Sequence, residues 1–306
     1  MLAFVFRRLV HGLVVVLGVT AIVFVVTRMV GDPVSVMLPI DASDEQRAAL
    51  THSFGLDRPI PQQFADFAHK LLRLDFGESL WQQRPAMTIV LERLPATVEL
   101  IFTGMLLAVV LAVPLGVMAA LRPGRVYDRC TVMLSVLTFS LPQFWLGLLL
   151  IVLFSVQLGW LPTSGNDTPV HLILPAITLA LPPAGRIAIM VRSAMIDEMN
   201  QPYIQTVTAK GMPLWRVVGL HAGRNAAMPV LTLAGWELIR SLAGNSVLVE
   251  SVFAWPGLGL LAMQAIHRHD LVLLQAVVFA VAMMVVIINL SMDVLYKLLD
   301  PRIELA

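Results

Sequence analysis

Few residues in this sequence have types and spacings that could do chemistry. Glu237 and Arg240 stand three apart in an otherwise apolar run. That spacing puts both on one helical face, where opposite charges can neutralise each other inside a bilayer. His221 has no second histidine or carboxylate at ligand spacing, which favours a bracing hydrogen bond over a metal ion. Cys130 is the one cysteine, so an internal disulfide and any cysteine-cluster metal or redox site are excluded. No Gly-x4-Gly-Lys-Ser/Thr stretch occurs to cradle nucleotide phosphates, and no His-Glu-x-x-His pair or nucleophile with a base in register is found. The expectation is therefore a chain without catalytic residues and without a bound metal.

The elements that must hold these residues are apolar. Of 306 residues, 58% are hydrophobic and 13% charged, with a mean hydropathy of +0.82. An average soluble chain carries about 25% charged residues, so this one has too few to coat a globule and takes lipid as its solvent. A net charge of +1, with 3 lysines among 21 basic residues, argues against a nucleic-acid partner.

A transmembrane helix needs about 20 mostly apolar residues, and six candidate spans lie near 9–28, 97–120, 131–157, 170–191, 227–249 and 271–296. The fold class expected is an all-α polytopic membrane protein with six transmembrane helices. The first span follows Arg7 and Arg8 and precedes Arg28 and Gly31-Asp32-Pro33 without a small-residue cleavage site, so it reads as a retained anchor. The fourth span contains Arg186, and the fifth contains Glu237 and Arg240. With the N-terminus inside, the cytoplasmic connections collect Arg122, Arg125, Arg129, Arg192, Lys210, Arg216, Arg224 and Lys297, whereas the short outer ones hold Arg268 alone. Both termini are expected in the cytoplasm.

Three regions follow: 1–30 as the cytoplasmic tip and first span, 31–95 as an extracytoplasmic helical segment, and 96–306 as the core. In the outer segment, Ser43 with Gln46 forms a capping box and Gly55 a stop, so a short helix is expected between them. Around Pro61, Ile60, Phe64, Phe67, Leu71 and Leu74 recur at helical spacing. Pro114, Pro142, Pro175 and Pro182-Pro183 interrupt several spans, and each freed carbonyl must face protein or a water-filled cavity. Pro142 and Gln143, with Glu237, Arg240 and Asn245, are the candidate pathway residues.

Between spans four and five, residues 195–226 are too polar to span. A helix through Tyr203, Thr206 and Ala209 to Lys210 would stop at Gly211, and a second short helix would open at Pro213 and carry Trp215 and Arg216. His221, Arg224, Asn225 and Pro229 follow. Two short helices at an angle have the shape of a knob presented to a partner's groove.

That loop resembles the cytoplasmic coupling loop, or EAA motif, of binding-protein-dependent ABC transporter permeases, and within them the dipeptide and oligopeptide branch. The stretch ending Ala209-Lys210-Gly211, then His221-Ala222-Gly223-Arg224-Asn225 and Pro229, is similar to its signature. So are Gly31-Asp32-Pro33, Asp75-Phe76-Gly77-Glu78-Ser79, the run from Arg93 to Leu100, the run from Phe253 to Gly259, and Leu299-Asp300-Pro301-Arg302-Ile303. The order resembles the first of two permease subunits, with the long outer segment after span one. Val207, where the family has a small alanine, and the two charges of span five depart from the pattern.

The resemblance implies a type I ABC importer permease fold in a bacterial inner membrane. It implies a second homologous permease, two cytoplasmic P-loop ATPase subunits that bind ATP and magnesium, and an extracytoplasmic peptide-binding protein, with lipid around the spans and no cofactor in this chain. The loop 203–229 would couple to the ATPases through Thr206, Ala209, Lys210, Gly211, Trp215, Arg216, His221, Arg224, Asn225 and Pro229. Di- and oligopeptides are the implied cargo, and nickel chelates and glutathione also occur in the family. Glu237 with Arg240 either forms a structural ion pair or meets the charged ends of a peptide. Glu99 is expected to brace the outer end of span two, and Arg224 with Asn225 the entry to span five. An ion-coupled secondary transporter is the competing class, since broken helices and buried charges suit it equally, although no internal repeat relates the two halves.

Overall fold

The computed structural model describes residues 2–30, 43–53, 57–71 and 73–299. The motif Gly31-Asp32-Pro33, the stop at Gly55 and the terminal residues 300–306 lie outside them. The described chain is helical, with one isolated antiparallel bridge between Glu78 and Pro85. We name the helices α1 (Leu2–Val30), α2 (Asp44–Ser53), α3 (Ile60–Leu71), α4 (Ala86–Leu121), α5 (Val126–Ser140), α6 (Gln143–Leu150), α7 (Ile173–Met199), α8 (Pro202–Ala209), α9 (Gly223–Arg240), α10 (Ser246–Val252), α11 (Leu258–His267) and α12 (Leu271–Leu299).

Among the described residues, Ala86–Leu121, Pro169–Met199 and Leu271–Leu298 are long and apolar enough to cross a membrane. Val126–Ser140 and Gln143–Gln157 make a fourth span if the pair, bent by 102°, counts as one. The expected third span is thus broken at Leu141-Pro142. Leu141 is extended at φ −80 and ψ 136, the conformation imposed on a residue before proline. Of the other two expected spans, α1 is one helix over Leu2–Val30 whose described apolar stretch is Val10–Val26, and α9 carries Arg224, Glu237 and Arg240.

The chain divides into two compact units, residues 1–96 with 256–287 and residues 97–255 with 288–306. In the first, Phe67 and Leu71 of α3 pack with Phe76, Ile89, Leu261, Leu273 and Val277. Phe24 stacks on Phe67 with ring centroids 5.1 Å apart, and Phe76 meets Phe279 at 5.2 Å. The apolar repeat of α3 ends at Leu71, and Leu74 stands beyond it in the left-handed region at φ 55. The buried Asp270 organises the outer turns. It caps α12 by accepting the Leu273 N–H at 3.0 Å, and it also takes the Ser79 hydroxyl at 2.5 Å and the Trp81 N–H at 3.2 Å. The Asp75–Ser79 motif is therefore a turn seated on a helix N-terminus, with Gly77 supplying φ +90.

In the second unit α7 packs against α5, α6 and α9. Small residues let the backbones approach: Ala108, Ala112, Ala180, Ala184 and Ala188 are buried together. A Cβ at Gly185 would lie 2.3 Å from Thr138 Oγ1 and 2.6 Å from the Ser135 carbonyl, so glycine there sets the α5–α7 spacing. The second helix of the expected knob is not separate. Residues 214–252 form one unbroken helical run in which π turns, Val217–Ala222 and Ser241–Asn245, interrupt the α-helix. Pro213 precedes that run in extended backbone, so the polar connection shortens to 200–213 around α8.

Replacing Gly185 by alanine should lower the stability of the bundle by about 1–3 kcal/mol, because the added methyl has no room between α5 and α7. Thermal unfolding of the reconstituted protein against the parent measures it, and an unchanged transition would refute the close approach.

Candidate functional site

Helix α7 carries two arginines, six residues apart, and a carboxylate from a neighbouring helix grips each. Arg186 donates through Nε to Glu237 Oε1 at 2.5 Å and through Nη2 to Oε2 at 2.7 Å. The Glu237 side chain is 0% exposed, that of Arg186 24% and that of Arg240 50%. Arg240 Nη1 stands 3.9 Å from Glu237 Oε1, beyond hydrogen-bond reach. The pairing expected within α9 thus belongs mainly to α7. A guanidinium arriving from a facing helix can present its planar fork to both oxygens, whereas one three residues along the same helix arrives from the side. The sequence held a signal for this, since Arg186 has no acid three or four residues away in its own apolar run.

Arg192, toward the end of α7, donates to Asp128 of α5, through Nη2 to Oδ2 at 2.8 Å and through Nε to Oδ1. Asp128 also accepts the Gly124 N–H at 2.7 Å, which closes the turn before α5. A third buried acid, Glu250, accepts the Thr97 hydroxyl at 2.8 Å. The buried contact at this level of α4, where the expected second span begins, is made by Thr97, while Glu99 is exposed.

Around the loop, α8 stops as its sequence requires. Gly211 sits at φ +78, and its N–H donates to the Thr208 carbonyl at 2.9 Å. Val207 packs inward with Ile204, while Thr206, Ala209, Lys210, Gly211, Trp215, Arg216 and Arg224 are exposed. The Arg216 guanidinium lies 4.9 Å from the centroid of the Trp215 ring. Tyr203 of α8 donates to Glu198 of α7 at 2.5 Å and accepts from Asn225 of α9 at 3.0 Å; Asn225 reaches Glu198 at 3.3 Å. These three side chains knot α7, α8 and α9 together. Burial first, and the bond to Glu198 second, push the Tyr203 hydroxyl above its ordinary pKa. Among the described residues His221 makes no side-chain hydrogen bond, whereas Asn225 makes the brace expected of it at the entry to span five.

Of the candidate pathway residues, Gln143 has a structural partner. Its amide donates to the Thr178 carbonyl at 3.3 Å, the acceptor that Pro182, lacking an N–H, leaves open four residues on. Pro142 opens α6 at the sharp bend, and Asn245 ends the π turn after Arg240. Pro229 lies inside α9 and lines a cleft of about 630 Å³ with Met190, Thr232, Trp236, Met292 and Asp293.

Residues 112–305 match the family described as binding-protein-dependent transport system inner membrane component, and residues 1–101 match that family's N-terminal region. The chain is 39% identical to the di/tripeptide transport system permease protein DppB of Pseudomonas aeruginosa, over 99% of each chain. It is 36% identical to the oligopeptide transport system permease protein AppB of Bacillus subtilis, over 99% of this chain and 100% of that one. It is 35% identical to the dipeptide transport system permease protein DppB of Escherichia coli, over 99% of each. A solved structure of the inward-facing MetNI methionine ABC transporter superposes with a TM-score of 0.59 at 21% identity, covering 70% of this chain and 97% of that one. At that identity the likeness speaks for the fold.

Removing one member of the buried pair should be worse than removing both. Glu237→Gln leaves Arg186 uncompensated and should destabilise by about 3–5 kcal/mol, whereas Arg186→Met with Glu237→Leu should recover most of that loss. A double-mutant cycle on unfolding in detergent reads this directly; equal losses in single and double variants would dissolve the pair.

Proposed function

This chain belongs to the binding-protein-dependent transport system inner membrane component family, and we propose that it is a permease subunit that passes di- and oligopeptides inward across the bacterial cytoplasmic membrane. The observation that carries the reading is end-to-end likeness to permeases whose names specify di/tripeptide, oligopeptide and dipeptide transport. The energy comes from elsewhere: the chain has no phosphate loop, so ATP and magnesium belong to two cytoplasmic ATPase subunits. A second homologous permease completes the channel, an extracytoplasmic binding protein delivers peptide, and both termini lie in the cytoplasm.

Coupling runs through residues 203–229. Thr206, Ala209, Lys210, Gly211, Trp215 and Arg216 form the surface the ATPases grip, and Arg224, Asn225 and Pro229 pass the movement on. The covalent layout supports this. Leu214 opens the helical run that contains Glu237, and the Tyr203-Glu198-Asn225 knot ties α8 to α7 and α9. A displacement at Gly211 therefore moves α8, the end of α7 and the start of α9 as one body, and the Arg186-Glu237 fork carries it deeper.

Gly211→Arg tests the coupling. The side chain has open space around it, since an added Cβ meets nothing within 4 Å, but the φ of +78 strains any L residue, so α8 should lose its stop while the fold persists. Peptide uptake by the assembled transporter should fall to background with membrane insertion normal and ATP hydrolysis continuing. Unchanged uptake would refute the coupling role. Uphill transport by this chain alone in liposomes, driven by an ion gradient, would overturn the ATP-driven reading altogether.

A further inference from the structure

We infer that Arg240 is an anion-recognition residue that receives the free α-carboxylate of a peptide in transit. The inference rests on peptide import and adds the chemical end of the substrate that is read. Three charged side chains meet on α7 and α9, and their charges do not cancel. Both oxygens of Glu237 are occupied by the Arg186 fork at 2.5 and 2.7 Å, so one carboxylate is matched by one guanidinium. Arg240 is left over: its nearest Glu237 oxygen is 3.9 Å away, and half of its side chain is exposed. The cluster therefore carries one surplus positive charge, in a helical run otherwise dominated by apolar residues.

Such a charge is costly in a membrane and is retained where it faces water, a partner or a substrate. Glu237 lends it a weak hold, near enough to orient the side chain and too far to satisfy its donors. A guanidinium offers a planar fork that matches a carboxylate in two parallel hydrogen bonds, and the oligopeptide cargo ends in that group. Ser241 follows Arg240 at the first residue of a π turn. Its buried hydroxyl has no hydrogen-bond partner among the described residues, which leaves one more polar group at the same level of the helix. A π turn at this point carries an extra residue and is readily reshaped, a property that helps a side chain meet and release cargo of differing length.

The test uses the complete transporter, both permeases with their ATPases, in lipid nanodiscs without the binding protein, so that recognition by that protein does not enter. Binding of trialanine and of trialanine amide is followed by saturation-transfer NMR. Trialanine should bind more tightly than its amide by about tenfold or more, the usual worth of a charge-assisted hydrogen bond. Arg240→Gln should erase the difference between the two ligands, and Arg240→Lys should restore part of it. Equal binding of the two peptides to the parent complex overturns the inference, as does a preference that survives Arg240→Gln. If Arg240→Gln and Arg240→Lys both fail to assemble with the second permease, the guanidinium belongs to a subunit contact and the inference is likewise overturned. Binding of neither peptide defeats the inference but leaves the import reading to the uptake assay, which fails only when the parent transporter accumulates no peptide.

Discussion

A buried carboxylate must be matched, and that constraint organises the second unit of this protein. Helix α7 brings Arg186 and Arg192 into an apolar bundle, and each is gripped in two-point fashion by a carboxylate from another helix, Glu237 of α9 and Asp128 of α5. Such pairs contribute little net stability beside well-packed apolar residues, yet they cost heavily when broken, so their effect is on geometry rather than on depth of the energy well. They fix the rotation of α5 and α9 about α7, where small alanines and glycines alone would leave room to slide.

With the register fixed, the remaining features of the second unit join into one continuous piece. The helical run from 214 to 252 reaches from the exposed loop into the bundle without an interruption longer than a π turn. Those two turns are the places where such a run can adjust its winding without breaking its hydrogen bonds, because a single extra residue is accommodated in each. The hydroxyl of Tyr203 ties α8 to α7 and α9 through Glu198 and Asn225. Rigidity between the loop and the fork is then a consequence of polar knots at both ends and close packing between them.

Much of this was written in the sequence, unevenly. The apolar runs that become α4, α7 and α12, the stop at Gly211 and the helix after Ser43 were legible because periodicity, glycine and capping residues act locally. The bend at Pro142 was legible as a break but not as an angle of 102°. What local reasoning missed was pairing across helices. It joined Glu237 to Arg240, its neighbour along the chain, when the better geometry belonged to Arg186, 51 residues away. It places a brace at Glu99 from its position near the outer end of span two and its match to the family's pattern, whereas the buried Thr97 holds the contact to Glu250. It also treated the segment after Pro213 as a separate helix, since no signal in composition distinguishes a short helix from the first turns of a long one.

The bond from Gln143 to Thr178 links two distant positions. Pro182 creates the vacancy that the glutamine fills, so a variant with an ordinary residue at 182 restores the backbone donor and releases Gln143 from that bond. A variant that loses the glutamine alone is left with an orphan acceptor in a dry interior. The two positions are thus coupled through one carbonyl, and the amide is needed there only while an imino acid stands at 182.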